Sequence, residues 1–106
     1  MSKISVLGEA VSLTAAAAQA GVAMSATPFD NGFNAVLTVH LAGATGTPTV
    51  KVQGSVDAAF TAPVDLLTVT SITGLIKMTE VTLYQYMRLN VTAVGTAGTC
   101  SAYLTA

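Results

Sequence analysis

The residues of this 106-residue chain that could do chemistry are few. There is one histidine, His40, one cysteine, Cys100, and five acids, Glu9, Asp30, Asp57, Asp65 and Glu80. A single histidine excludes a metal cluster built on histidines, and a Cys–His nucleophile requires the fold to bring Cys100 beside His40. Alternation along the sequence argues against that meeting. In "AVLTVHLAG" His40 falls with Val36 and Thr38 on the side opposite Leu37, Val39 and Leu41, whereas Cys100 shares its side with Ala102 and Leu104, an apolar set suited to a core. His40 is therefore expected at a surface or interface, and Cys100 as a buried thiol that packs as a small hydrophobe. The acids are singletons, with no spacing that forces two carboxylates together. Asp30, Asp57 and Asp65 each stand beside turn residues, where Asp serves the backbone, and no short loop gathers the several oxygen ligands that Ca²⁺ needs. The expectation is a non-enzyme with no catalytic residue, no cofactor and no metal site.

Other motifs add little chemistry. "NVT" at Asn90 to Thr92 matches a glycosylation acceptor but lies inside a strand pattern, and the glycines of "AGATGTP" lack the spacing and the lysine of a phosphate loop. Tyr84 and Tyr86 offer two roles. One can lock a strand crossing through its hydroxyl, while the other can present a platform to a sugar or a protein.

The elements that must position these residues read as strands. "TVKVQGS" sends Val50 and Val52 inward with Lys51 and Gln53 outward, and Pro63 separates it from "LLTVTS". After an "ITG" turn, "LIKMTEV" alternates again. "YQYMRLNVTAV" sets Met87, Leu89, Val91 and Ala93 against Tyr86, Arg88, Asn90 and Thr92, and "TCSAYLTA" closes the chain. "GATGTP" and "GTAG" read as connecting turns. With "KISVL" and "EAVSL" at the front, the pattern predicts an all-β fold, an antiparallel β-sandwich or jelly roll of seven to eight strands, because alternating faces need a second sheet over the apolar side. Residues 1–106 form one domain, with 1–33 as a partly extended N-terminal segment.

The stretch "LTAAAAQAGVAMSATPFDNGF" decides how that segment behaves. Ala15 to Ala18 favour a helix, yet Gly21 follows closely, Val22 and Met24 give no helical stripe, and Pro28 stops whatever began. A secretory signal fails as well, since Glu9 sits where an apolar core is needed. Extended or irregular chain over 14–26, with room for one helical turn, is the expectation. "DNG" at Asp30 to Gly32 then forms a tight turn flanked by Phe29 and Phe33.

Composition sets the kind of partner. Charged residues make up 8% of the chain against 52% apolar, and sixteen threonines fill polar positions. Ordinary domains carry about 25% charge. The net charge is -1, and the basic residues Lys3, Lys51, Lys77 and Arg88 are scattered, so no nucleic acid and no membrane surface is expected as partner. No uninterrupted apolar run reaches the 18 or so residues of a membrane span. A surface with so little charge gives little protection against self-association, which favours an assembly component.

The arrangement "PTVKVQGSVDAAFTAPVDLLTVT" followed by "YQYMRLNVTAVGTAGTCSAYLTA" resembles small all-β virion proteins of tailed bacteriophages, over residues 49–106. It differs from their commoner pattern in carrying Phe60 where a tryptophan stands after the "GS" turn. The resemblance implies a capsid decoration or cement protein that binds the major capsid protein and stabilises the mature head. Such proteins are often trimers, and a virion location on the capsid surface follows, with synthesis in the host cytoplasm without a signal peptide. Two other readings share the fold: a carbohydrate-binding or adhesin jelly-roll module, which the absence of tryptophan disfavours, and a tail or neck subunit. Phe29, Phe33 and Phe60 are the candidate contacts with a neighbouring protomer or the shell. Their alternative role is to plug the ends of the sandwich.

Overall fold

The computed structural model describes residues 4–24, 34–70 and 76–105, with 76–78 as backbone only. Among the described residues nine strands follow one another: β1 (Ile4–Ser12), β2 (Ala17–Ala18), β3 (Val22–Ala23), β4 (Asn34–Thr45), β5 (Thr49–Ser55), β6 (Val64–Thr70), β7 (Ile76–Thr82), β8 (Tyr86–Ala93) and β9 (Ala97–Thr105). They make two antiparallel sheets. The first runs β1-β9-β4-β7, and the second β2-β8-β5-β6, with β3 continuing the β2 edge along β8. The fold is an antiparallel β-sandwich.

Side-chain alternation explains why two sheets meet. Along β8, Met87, Leu89 and Val91 are buried while Arg88 and Asn90 between them reach the outer surface. Val50 and Val52 of β5 join the same inner layer. From the first sheet come Leu37, Val39 and Leu41 of β4 and Cys100, Ala102 and Leu104 of β9, in register as Leu37–Leu104, Val39–Ala102 and Leu41–Cys100. Sheets pack about 10 Å apart, and the molecule is 17 Å across its shortest axis.

The alanine-rich segment is extended up to Met24, and the reason lies in β8. That strand's free edge supplies partners that a short isolated helix cannot match. Ala17 and Ala18 pair with Val91 and Asn90, Val22 and Ala23 pair with Met87 and Tyr86, and the Gln19 amide donates to the Leu89 carbonyl at 2.8 Å. Leu13 and Met24 are fully buried in the core. The "DNG" turn, Phe29 and Phe33, like the "ITG" turn at 72–74, lie outside the described residues.

Four local expectations are corrected. "KISVL" and "EAVSL" form one strand, β1, whose register slips at Gly8 and again before Val11. The loop expected from Gly43 onward starts later, because β4 continues to Thr45 through a bulge after Ala42. Gly43 sits there at φ +64, a conformation that costs a glycine little. Asp65, expected to serve the backbone beside turn residues, is the second residue of β6 and accepts from the Lys51 and Gln53 side chains. Two dipeptide strands, β2 and β3, bring the strand number among the described residues to nine, where seven to eight were expected.

Candidate functional site

The outer face of the second sheet carries a connected polar network. Pairing of β5 with β8 sets Lys51 beside Asn90 and Gln53 beside Arg88. On the other flank, β6 contains a bulge: Val52 pairs with Leu67, yet Gln53 pairs with Asp65, leaving Leu66 as the extra residue. An unbroken ladder would set Leu66 beside Gln53 and turn Asp65 towards the core, since side chains alternate strictly along a strand. The bulge instead lets Leu66 pack against the core and brings Asp65 to the outer face.

Gln53 is the hub. Its Nε2 donates to Asp65 Oδ1 at 2.8 Å, and its Oε1 accepts from Arg88 Nε at 2.9 Å and from Asn90 Nδ2 at 3.3 Å. Lys51 Nζ donates to Asp65 Oδ2 at 2.8 Å. The Lys51 ammonium, and after it the Gln53 amide, hold the Asp65 carboxyl below its ordinary range. Gln53 is on the outward side expected of it, but at 6% exposure it is covered rather than solvated.

A loop closes over one end of this network. Asp57 builds the loop between β5 and β6: its carboxylate accepts from the Ser55 hydroxyl at 2.6 Å, the Thr61 hydroxyl at 2.6 Å and the Thr61 amide at 3.2 Å. The Ser55 hydroxyl, followed by that of Thr61, lowers the pKa of Asp57. Its role is thus the backbone one expected of a turn aspartate. The loop delivers Phe60 at φ +52, an uncommon conformation for a bulky residue. Two contacts hold the ring there. The Arg88 guanidinium carbon lies 4.3 Å from the ring centroid. On the N-terminal segment, Gly21 lets the ring approach so closely that a Cβ there would stand 2.5 Å from it. Phe60 is 6% exposed, so within the protomer it packs as a plug. Phe29 and Phe33 lie outside the described residues.

The outer face of the first sheet differs. An open depression of about 340 Å³ is lined by Ile4, Val6, Gly8, Glu9, His40, Ser101 and Tyr103. The register explains the grouping, since Val6, Tyr103 and Thr38 stand in one cross-strand row, with Ser101 and His40 in the next. Ile4 and Val6 are exposed, and so is Glu9. Ala10, at φ +49 in the slipped part of β1, donates its amide to Ser101 Oγ at 3.0 Å.

Among the described residues, the histidine and the cysteine do not converge. His40 and Cys100 point to opposite faces of the first sheet: Cys100 is fully buried beside Leu41, and His40 opens on the depression beside Ser101. Burial pushes the Cys100 thiol up to about 12, so at neutral pH it stays protonated and is a poor nucleophile. Among the described residues no three His, Cys, Asp or Glu side chains are placed to hold a metal ion. Tyr84 packs on the core with its ring over Gly54, and Tyr86 pairs with Ser55 and Ala23. Sequence reasoning singled out neither the Gln53 network nor the depression. The only trace of the first is the pair of i, i+2 polar positions in "KVQ" and "RLN", and such spacing says nothing about which strands will lie side by side.

No protein-family profile matches the sequence, and no curated protein matches it. Among solved structures the chain is similar to the crystal structure of PBSX exported protein XepA, with a TM-score of 0.58 and 16% sequence identity. The match covers 96% of this chain and 36% of that one, so the chain spans about a third of that protein's length. At this identity the likeness is one of fold: nearly the whole of this chain follows the path of one part of XepA.

Proposed function

We propose that this protein is a structural component of a bacteriophage virion, and within that class a decoration or cement protein that binds the major capsid protein on the mature head. The observation that carries the reading is the backbone likeness, over 96% of the chain, to a protein of the phage PBSX. The resemblance of residues 49–106 to small virion proteins supports it, as does a surface that offers two sheet faces rather than a reaction centre. The protein acts by contact, without catalysis, metal or cofactor. Each protomer makes a modest contact, and linking copies, most simply as a homotrimer, raises the effective concentration of the next contact. A protein that binds only the assembled shell stabilises that shell by mass action. It needs neither nucleic acid nor membrane as partner. Among the described residues, no helix is long and apolar enough to cross a membrane.

Immunogold microscopy on gradient-purified virions of the phage that carries the gene tests this. Label over the head is expected. Label confined to the tail reassigns the chain to a tail or neck subunit, and absence of the chain from purified virions overturns the reading altogether.

A further inference from the structure

Among the described side chains, the charges left without an opposite partner are segregated by face. Asp65 is taken by Lys51 and Gln53, and Asp57 by Ser55 and Thr61. Two exposed carboxylates are left among the described side chains, Glu9 and Glu80, and both belong to the first sheet. Among the described side chains one cation is left, Arg88, on the outer face of the second sheet. Its Nε is spent on the neutral Gln53 amide, it has no carboxylate partner among the described residues, and its guanidinium plane is fixed against Phe60. Two packed layers separate these groups across the 17 Å axis, so they cannot pair within one molecule.

We propose that the protein self-associates face to back, with the Glu9 rim of the depression on one copy seated on the Arg88 surface of the next. The occupant is a second copy because the chain itself carries both halves of the complement. Glu9 stands beside Ile4 and Val6, which are 60% and 52% exposed. Covering them removes apolar surface from water while the carboxylate meets the guanidinium's free Nη donors. Arg88 suits the role because its side chain is already ordered by Gln53 and Phe60, so little rotamer freedom is lost on binding. The contact is heterologous, using different surfaces on the two copies. It closes into a ring if the rotation between copies permits and otherwise grows as an open stack. The inference does not depend on the virion assignment.

The test is sedimentation velocity on the full chain from micromolar to millimolar concentration, at low and high salt, with Glu9→Arg, Arg88→Glu, the double reversal and Glu80→Lys. The wild type is expected to associate, and more weakly in high salt. Each single reversal at Glu9 or Arg88 should raise the dissociation constant roughly ten-fold or more. The double reversal should restore it, and Glu80→Lys should leave it unchanged. Glu9 is exposed, so its reversal leaves the fold intact even if Arg88→Glu unfolds the chain by freeing Phe60. A wild type that stays monomeric, a Glu9→Arg variant that associates like the wild type, or dissociation by Glu80→Lys alone overturns the proposal. So does a folded double reversal that fails to recover.

Discussion

Phe60 shows how one side chain can stand at a surface in the sequence and inside in the structure. It lies in the loop "AAFTAP", where nothing in the local pattern says which way the ring turns. Three separate segments decide it: Asp57 shapes the loop, Gly21 leaves space beside the ring, and Arg88 covers its face. A φ of +52 at a bulky residue costs on the order of 1–3 kcal/mol, so the ring's packing must exceed that cost. Phe60→Ala is expected to lower stability by about 3–5 kcal/mol in urea unfolding, the usual range for deleting a buried phenylalanine. A loss under about 1 kcal/mol would show that the ring contributes little to the protomer.

At the scale of elements, the bulge in β6 matters more than the ion pair it permits. Lys51 and Asp65 retain 30% and 42% side-chain exposure, and such pairs contribute about 0–1 kcal/mol because water screens them. Lys51→Ala should therefore move the melting temperature only slightly. Deleting Leu66 is a different perturbation. Without the extra residue the ladder from Val52 to Gln53 becomes continuous with Asp65 still beside Gln53 on the outer face, and what is lost is the Leu66 side chain packed against the core. Removing apolar side-chain packing from a core costs about 2 kcal/mol or more, so the deletion is expected to lower the urea midpoint by clearly more than Lys51→Ala does. Equal effects of the two changes would contradict this account. The same logic fits the sheet edges. β1 slips register twice, β6 bulges, and β2 and β3 are dipeptides, which are features that discourage edge-to-edge aggregation while leaving the faces free for contact.

At the scale of the whole molecule, the few charges make the response to acid simple to derive. Asp57 and Asp65 both titrate below the ordinary aspartate value when folded, whereas in the unfolded chain they return to about 3.9. In the acid range the unfolded chain binds more protons, so stability falls as pH falls. The contribution of these two groups is fully present above about pH 5 and is lost as pH drops through and below about 4. Thermal melts from pH 7 down to 2.5 should show a plateau followed by a decline in that acid window, and Asp57→Asn with Asp65→Asn should flatten the decline. A decline centred near pH 6 would contradict this account.

The sequence by itself determined the fold class and the facing of its main strands. Period-two alternation at Leu37, Val39 and Leu41, at Val50 and Val52, and at Met87, Leu89 and Val91 is a local property, and burying those positions leaves a two-sheet sandwich as the economical answer. It also placed His40 and Cys100 on opposite faces, because parity along a strand is fixed once one neighbour's side is known. Tertiary structure alone decided which strands lie side by side. The Gln53 hub needs β8 on one flank and a bulged β6 on the other, the depression needs β1 and β4 on either side of β9, and Phe60 needs Gly21 from a segment that could equally have tried to be a helix. Strand order and register are set by summed packing over the whole core and by where the backbone finds its hydrogen-bond partners. No window of neighbouring residues contains that information.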